Sequence, residues 1–297
     1  MFAIELEQKQ YKTYILSDQT AQSCLEVVPE RGGIITRWQA QGEEILYLDE
    51  QRFAQPDLSI RGGIPILFPI CGNLPNDIYS YQGRQYRLKQ HGFARNLPWT
   101  VTEQNTEGKA AITLTLSSNA QTREMYPFDF ELEFTYTLKG NDLEIFQRFK
   151  NLSGTTDSTP ARVMPFSTGL HPYFLTRDKT QLQFDIPSIQ YVDQDTQEIH
   201  DFSGTFDPEA DEIDVIFGSL TGLAALAHDH DRPRRIALSY SATYPHLVYW
   251  TVKGKDYYCL EPWTAPRNAL NTDQQLIYLK PGESCEMLVH LNATFFE

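Results

Sequence analysis

The chain has 297 residues, 39 of them acidic and 25 basic, for a formal net charge of −14. That balance argues against nucleic acid as a partner, which needs a basic face to displace phosphate counterions, and against attraction to an anionic membrane. Hydrophobic residues at 41% and charged residues at 22% exclude a disordered chain, and the length allows a sizeable core.

From the N-terminus, Met1-Phe-Ala-Ile-Glu-Leu-Glu is acidic and lacks a basic n-region followed by an apolar run, so no secretory leader is expected. The apolar stretch 64–71 is far shorter than the roughly 20 residues of a membrane-spanning helix, and a cytoplasmic location is expected. Short strands are expected at 12–16, 22–28, 34–40, 99–103 and 110–116, separated by Gly, Pro and Asn. Asn119 caps one or two helical turns that run to Met125 and stop at Pro127. Helical signal is otherwise nearly absent.

From Asp129 the period is two. Phe130, Leu132, Phe134, Tyr136 and Leu138 share one face, and Glu131, Glu133, Thr135 and Thr137 the other, as in a strand half buried against a core. Lys139-Gly140-Asn141-Asp142 is a turn cluster, after which Leu143, Ile145 and Phe149 resume the alternation, which predicts a hairpin. The polar stretch 151–160 is the one candidate linker. Strand patterning is alike on both sides of it, so residues 1–297 are expected to form one domain. Further strands are expected at 235–239, 246–250, 257–260, 275–279 and 285–291. The fold class is all-β, a sandwich or barrel.

Charge is unevenly placed. Asp185 to Asp231 holds twelve acidic residues and no Lys or Arg, whereas Ser59 to Trp99 carries Arg61, Arg84, Arg87, Lys89 and Arg95 against Asp77 alone. Cys24, Cys71, Cys259 and Cys285 share no metal-ligand spacing and fall in apolar or alternating runs, so they are expected to be reduced core residues. His228-Asp229-His230-Asp231 is expected to be an acidic solvated loop rather than a metal site, since no third ligand stands at a suitable spacing. His290, alternating with core residues, is expected to be structural, and His200 and His246 have no recognisable company. There is no phosphate-binding or dinucleotide glycine motif and no nucleophile elbow.

Three segments do not look like strand filler. In Arg61-Gly62-Gly63-Ile64-Pro65, a Gly pair lets backbone approach whatever the guanidinium holds. A turn with a surface Arg would read the same way. In Gln90-His91-Gly92-Phe93-Ala94-Arg95, His91 and Arg95 could face one pocket, or His91 could serve only as a structural hydrogen-bonding group. His171-Pro172-Tyr173-Phe174 and Glu261-Pro262-Trp263 each set an ionisable group before proline and an aromatic. Such surroundings tune a general acid and base, although residues ninety apart cannot be paired from spacing.

Together these segments resemble the aldose 1-epimerase (galactose-mutarotase-like) family, in the form of its bacterial and hexose-6-phosphate mutarotase branches. The order matches: Arg-Gly-Gly-Ile-Pro, His-Gly-Phe-Ala-Arg, His-Pro-Tyr-Phe, then Glu-Pro-Trp-Thr and Asn-Ala-Leu-Asn, from Arg61 to Asn271. The resemblance implies a large antiparallel β-supersandwich and interconversion of the α and β anomers of a hexose or hexose 6-phosphate, without cofactor or metal. By motif it implies that His171 is the acid and Glu261 the base. It makes Arg61, His91, Arg95 and Asp214 substrate-binding residues, the arginines toward hydroxyl or phosphate. Arg84, Arg87 or Lys89 could add charge for a phosphate. The partner so implied is a small sugar or sugar phosphate. The alternative is a non-catalytic carbohydrate-binding or sensing protein on the same fold. A polysaccharide lyase on a related sandwich fits poorly, since the chain lacks an overall basic surface.

Overall fold

A computed structural model describes residues 1–154 and 160–296. The middle of the candidate linker, 155–159, lies outside the described residues. The expected hairpin forms from Phe130–Lys139 and Asp142–Asn151, in register from Phe130 opposite Asn151 to Lys139 opposite Asp142. Gly140 opens the two-residue turn at φ 59°, the left-handed conformation that matches strand twist. The predicted apolar face is buried throughout.

This hairpin lies within an eight-stranded antiparallel sheet. Its order is Leu182–Asp185, Ala224–Asp229, Arg234–Tyr240, Ser284–Phe295, Asp142–Asn151, Phe130–Lys139, Ala110–Ser117, Thr100–Asn105. A second eight-stranded sheet runs Ile199–Asp201, Gln190–Asp193, Glu212–Phe217, His246–Val252, Tyr257–Trp263, Gly169–Leu170, Ile66–Leu67, with Tyr173–Leu175 also on Tyr257–Trp263. A five-stranded meander spans the first 44 residues. One large apolar cluster joins these sheets, centred on rings such as Phe68, Phe130, Phe134 and Phe149. The molecule is thus an all-β antiparallel supersandwich, and no helix among the described residues is long and apolar enough to cross a membrane.

The predicted helix is Ala120–Met125. Asn119 Oδ1 accepts from the Thr122 amide at 3.0 Å, and Thr122 Oγ1 accepts from the Asn119 amide at 2.8 Å, a reciprocal cap. Two further single turns, Glu50–Phe53 and Ala269–Thr272, carry too few residues to show a helical period.

The expected strands between residues 12 and 116 and after 235 form. Besides Phe2–Gln8 and four short strands between Glu43 and Arg87, eight more, from Met164–Phe166 to Ala224–Asp229, were not expected. Each of these eight has six residues or fewer, and prolines and acidic residues interrupt their alternation. His228 and Asp229 correct the loop expectation: both lie on the strand Ala224–Asp229. Asp229 is buried with Nη2 of Arg234 at 3.5 Å, and His228 meets Asp185 at 2.9 Å. All four cysteines are free. Cys71 and Cys259 are buried; Cys24 and Cys285 are partly buried, and Cys285 packs against the large apolar cluster. His290 points to the partly exposed face and pairs with Asp142 at 2.9 Å.

Candidate active site

Sheet register brings the two distant motifs together. Gly169 lies opposite Trp263, and Tyr173 opposite Cys259. The same register holds on both sides of Pro172, which cannot donate to the ladder. It places His171 directly across from Glu261, where cross-strand side chains touch. His171 Nε2 and Glu261 Oε1 are 3.3 Å apart, and Glu261 is 1% exposed. The other carboxylate oxygen accepts from Trp263 Nε1 at 3.0 Å. The His171 ring stacks on Tyr173 at 4.6 Å, nearly parallel, and meets the edge of Trp250 at 5.8 Å.

His171, Glu261, Trp250 and Trp263 line a cleft of about 200 Å³. That is smaller than the roughly 300–1,000 Å³ of drug-sized ligand sites, and suits one small polar molecule. Arg61, His91 and Asp214 stand in its wall, as do Gln90, Glu212, Trp250 and Arg267. The Arg61 guanidinium lies 5.0 Å over the Trp250 ring, and its Nη1 reaches the Tyr173 hydroxyl at 3.4 Å. No carboxylate pairs with Arg61 among the described residues.

His91 adopts the left-handed backbone, φ 64°. Its amide donates to the Gly72 carbonyl at 2.7 Å, and its Nδ1 accepts from the Gly72 amide at 3.0 Å. Because Nδ1 is the acceptor, the proton of the neutral ring sits on Nε2, leaving a donor. Gly72 itself, at φ 69°, is forced by Arg267. A Cβ there would come within 2.3 Å of the Arg267 Cγ. Arg267 in turn pairs with Asp214, whose other oxygen accepts from Gln194.

Arg95 is not among the wall residues. Its Nη2 donates to the Gln90 carbonyl at 2.9 Å, so it stands behind the wall through Gln90. Burial brings its pKa down to about 10, so it remains charged at neutral pH. Arg84, Arg87 and Lys89 are exposed and do not line the cleft, because Arg84–Arg87 is half of a separate two-stranded hairpin. Gln90, Glu212, Trp250 and Arg267 were missed. Arg267 lies inside the Glu-Pro-Trp-Thr…Asn-Ala-Leu-Asn stretch, where it could have been found. Glu212 accepts from Trp250 Nε1 at 2.7 Å, a contact that only the pairing of two strands creates.

Burial dominates the electrostatics. It lowers the His171 pKa well below the ordinary histidine value, helped by Arg95 and Arg61. It raises that of Glu261 well above the ordinary carboxylate value, helped by the Asp214 charge. His91 is lowered by burial and then by Arg95, and Asp214 is raised by burial against the pull of Arg267.

Buried His171 and Glu261 thus face each other in a small polar cleft on an antiparallel β-sandwich. The family model described as aldose 1-epimerase matches residues 14–291. The chain therefore belongs to the aldose 1-epimerase family and is an isomerase. It is 46% identical to the Slr1438 protein from Synechocystis sp. PCC 6803, whose crystal structure it matches over 100% of both chains with a TM-score of 0.93. A candidate glucose-6-phosphate 1-epimerase of Cenchrus ciliaris is 25% identical over 92% of this chain and 82% of its own length. A galactose mutarotase-like protein from Clostridium acetobutylicum shares the fold, with a TM-score of 0.83 at 20% identity over 99% of each chain.

Proposed function

We propose that this protein interconverts the α and β anomers of a hexose or hexose 6-phosphate, with His171 as general acid and Glu261 as general base. The observation that supports this most is the 3.3 Å approach of the two buried groups at the floor of the cleft. Glu261 takes the proton of the anomeric hydroxyl while His171 gives one to the ring oxygen. The C1–O5 bond breaks, and the aldehyde rotates about C1–C2. The ring oxygen then attacks the other face of C1 and returns its proton to His171, as Glu261 returns its own to the new hydroxyl. The two side chains supply every proton transfer, and no cofactor is called on.

Burial favours the neutral form of both groups, a protonated Glu261 and an unprotonated His171. Shifting that one proton from Glu261 to His171 makes the base and the acid without exchange with solvent. The competent pair thus holds one proton. A second proton, bound below the ordinary histidine value of about 6.5, blocks the base. Loss of the only proton, above the ordinary Glu value of about 4.3, removes the acid. The expected profile of kcat is a bell whose two limbs belong to the pair. An acid limb of kcat lying above about pH 6.5, followed by polarimetry, would refute the assignment.

His91 Nε2–H, Arg61 and Asp214 hold the sugar hydroxyls, and Arg95 adds positive potential behind Gln90. Arg61 is the cation free to read a 6-phosphate. If it does, Arg61→Ala is expected to lower kcat/KM for glucose 6-phosphate at least about tenfold more than for glucose, the worth of one charge-assisted hydrogen bond. Equal losses for both sugars would leave Arg61 a hydroxyl binder. Residues 1–297 act as one domain on this reading, because the site draws on strands from both halves of the chain.

A further inference from the structure

Cys259 has no part in the proton transfers, yet it lies on the same strand face as Glu261, two residues before it, and opposite Tyr173. Donor atoms of His171, Cys259 and Glu261 all lie within 4.8 Å of one another, and all three residues are buried. We propose that these three residues form a zinc site, through which Zn²⁺ occupies the catalytic pair and blocks sugar turnover.

Geometry and donor chemistry both support this. Ligands on one tetrahedral Zn²⁺, at about 2.0–2.3 Å from the ion, stand about 3.3–3.6 Å apart. His171 Nε2 and Glu261 Oε1 already have that separation, at 3.3 Å. Cys259 Sγ needs to close by about 1.3 Å at most, within the reach of a side-chain rotation. Nitrogen, sulfur and oxygen are the donor set of zinc, and not of Mg²⁺ or Ca²⁺, which take oxygen alone. The thiol proton and the proton held by the His171–Glu261 pair leave to solvent as the metal binds. Thiolate and carboxylate then neutralise the ion. Arg61 and Arg95 oppose any cation held by charge alone, so the site selects one that bonds to sulfur. Three protein ligands leave a fourth position that opens into the cleft. Zinc and sugar therefore exclude each other. That last point rests on the catalytic reading of His171 and Glu261; the binding itself does not.

The test uses the full chain carrying C24S and C285S, so that the two partly exposed thiols do not take up metal. Competition with a chromophoric chelator is expected to show one Zn²⁺ per chain, with no response to Mg²⁺ or Ca²⁺. Adding Cys259→Ser should weaken binding by more than the roughly 10–100-fold of a lost outer partner. Co²⁺ should give a thiolate-to-metal charge-transfer band that disappears in the same variant. Cys259→Ala serves as a second variant if the serine disturbs packing. Zn²⁺ should inhibit mutarotation competitively with sugar and reversibly with EDTA, while the Cys259 variants stay active and insensitive. Unchanged zinc affinity in both variants, or absence of the cobalt band in the parent, would overturn the site. A chain inactive on every sugar would refute the catalytic reading while leaving the binding and spectral readouts to decide this one.

Discussion

Glu261→Gln and His171→Asn are each expected to lower the mutarotation rate by about 10²–10⁴-fold, the range of one general acid or base. Glu261→Gln is isosteric and its amide oxygen can still accept from Trp263, whereas His171→Asn also removes the ring that stacks on Tyr173, so the glutamine variant is the cleaner of the two. A loss of rate in Glu261→Gln then reports the lost proton transfer rather than a collapsed wall. The stability of the Glu261→Gln variant is a control with a defined sign. The folded-state pKa of Glu261 is raised, so its contribution to stability is fully present below the unfolded value of about 4.3. It is lost as pH rises toward the folded value. A glutamine side chain does not titrate and has no such dependence. The Tm difference between variant and parent should therefore move in favour of the variant from about pH 5 to 8. Near-parental turnover in either variant, followed by polarimetry on α-glucose, would end the acid–base assignment.

Phe68→Ala is expected to cost about 3–5 kcal/mol of stability, the range for truncating a buried ring. Phe68 is fully buried and meets Phe93, Tyr126, Phe130, Phe149 and Phe166 at centroid distances of 5.1 to 5.9 Å. It therefore stands where the long hairpin, the His91 loop and the strand Met164–Phe166 converge. Its carbonyl also accepts the amides of Phe93 and Ala94, which ties it to the loop that follows His91. A fall in turnover is expected at temperatures where the chain is still folded. Urea unfolding gives the magnitude. A cost below about 1 kcal/mol would mean that the surrounding rings close the gap.

Much of the fold could be read from residue order. The hairpin from Phe130 to Asn151 was legible because ten residues of strict alternation and a Gly-Asn turn leave one register. The Asn119 cap was legible because its partners lie three residues away. The strands between Met164 and Asp229 were not, because strands of two to six residues hold too few alternations to outweigh the prolines and acidic residues among them. Asp229 looks like one more solvated acid until Arg234 is placed beside it.

At the site, residue order sets which side chains are available and in what local company. His171 and Glu261 each precede proline and an aromatic, and His91 precedes the glycine of its turn. Those are short-range facts. Strand pairing and packing put His171 across from Glu261, give Asp214 to Arg267 beside Gly72, and keep Arg84, Arg87 and Lys89 outside. The net charge of −14 argues against a polyanion over the whole surface, but does not describe the cleft. There, Arg61 faces the cleft without a carboxylate partner among the described residues, and Arg95 stays charged behind it. The physical reason is that a pairing across strands depends on register, and register is set by the burial of many residues at once. Burial also moves the proton affinities of His171 and Glu261, a property that no isolated motif carries.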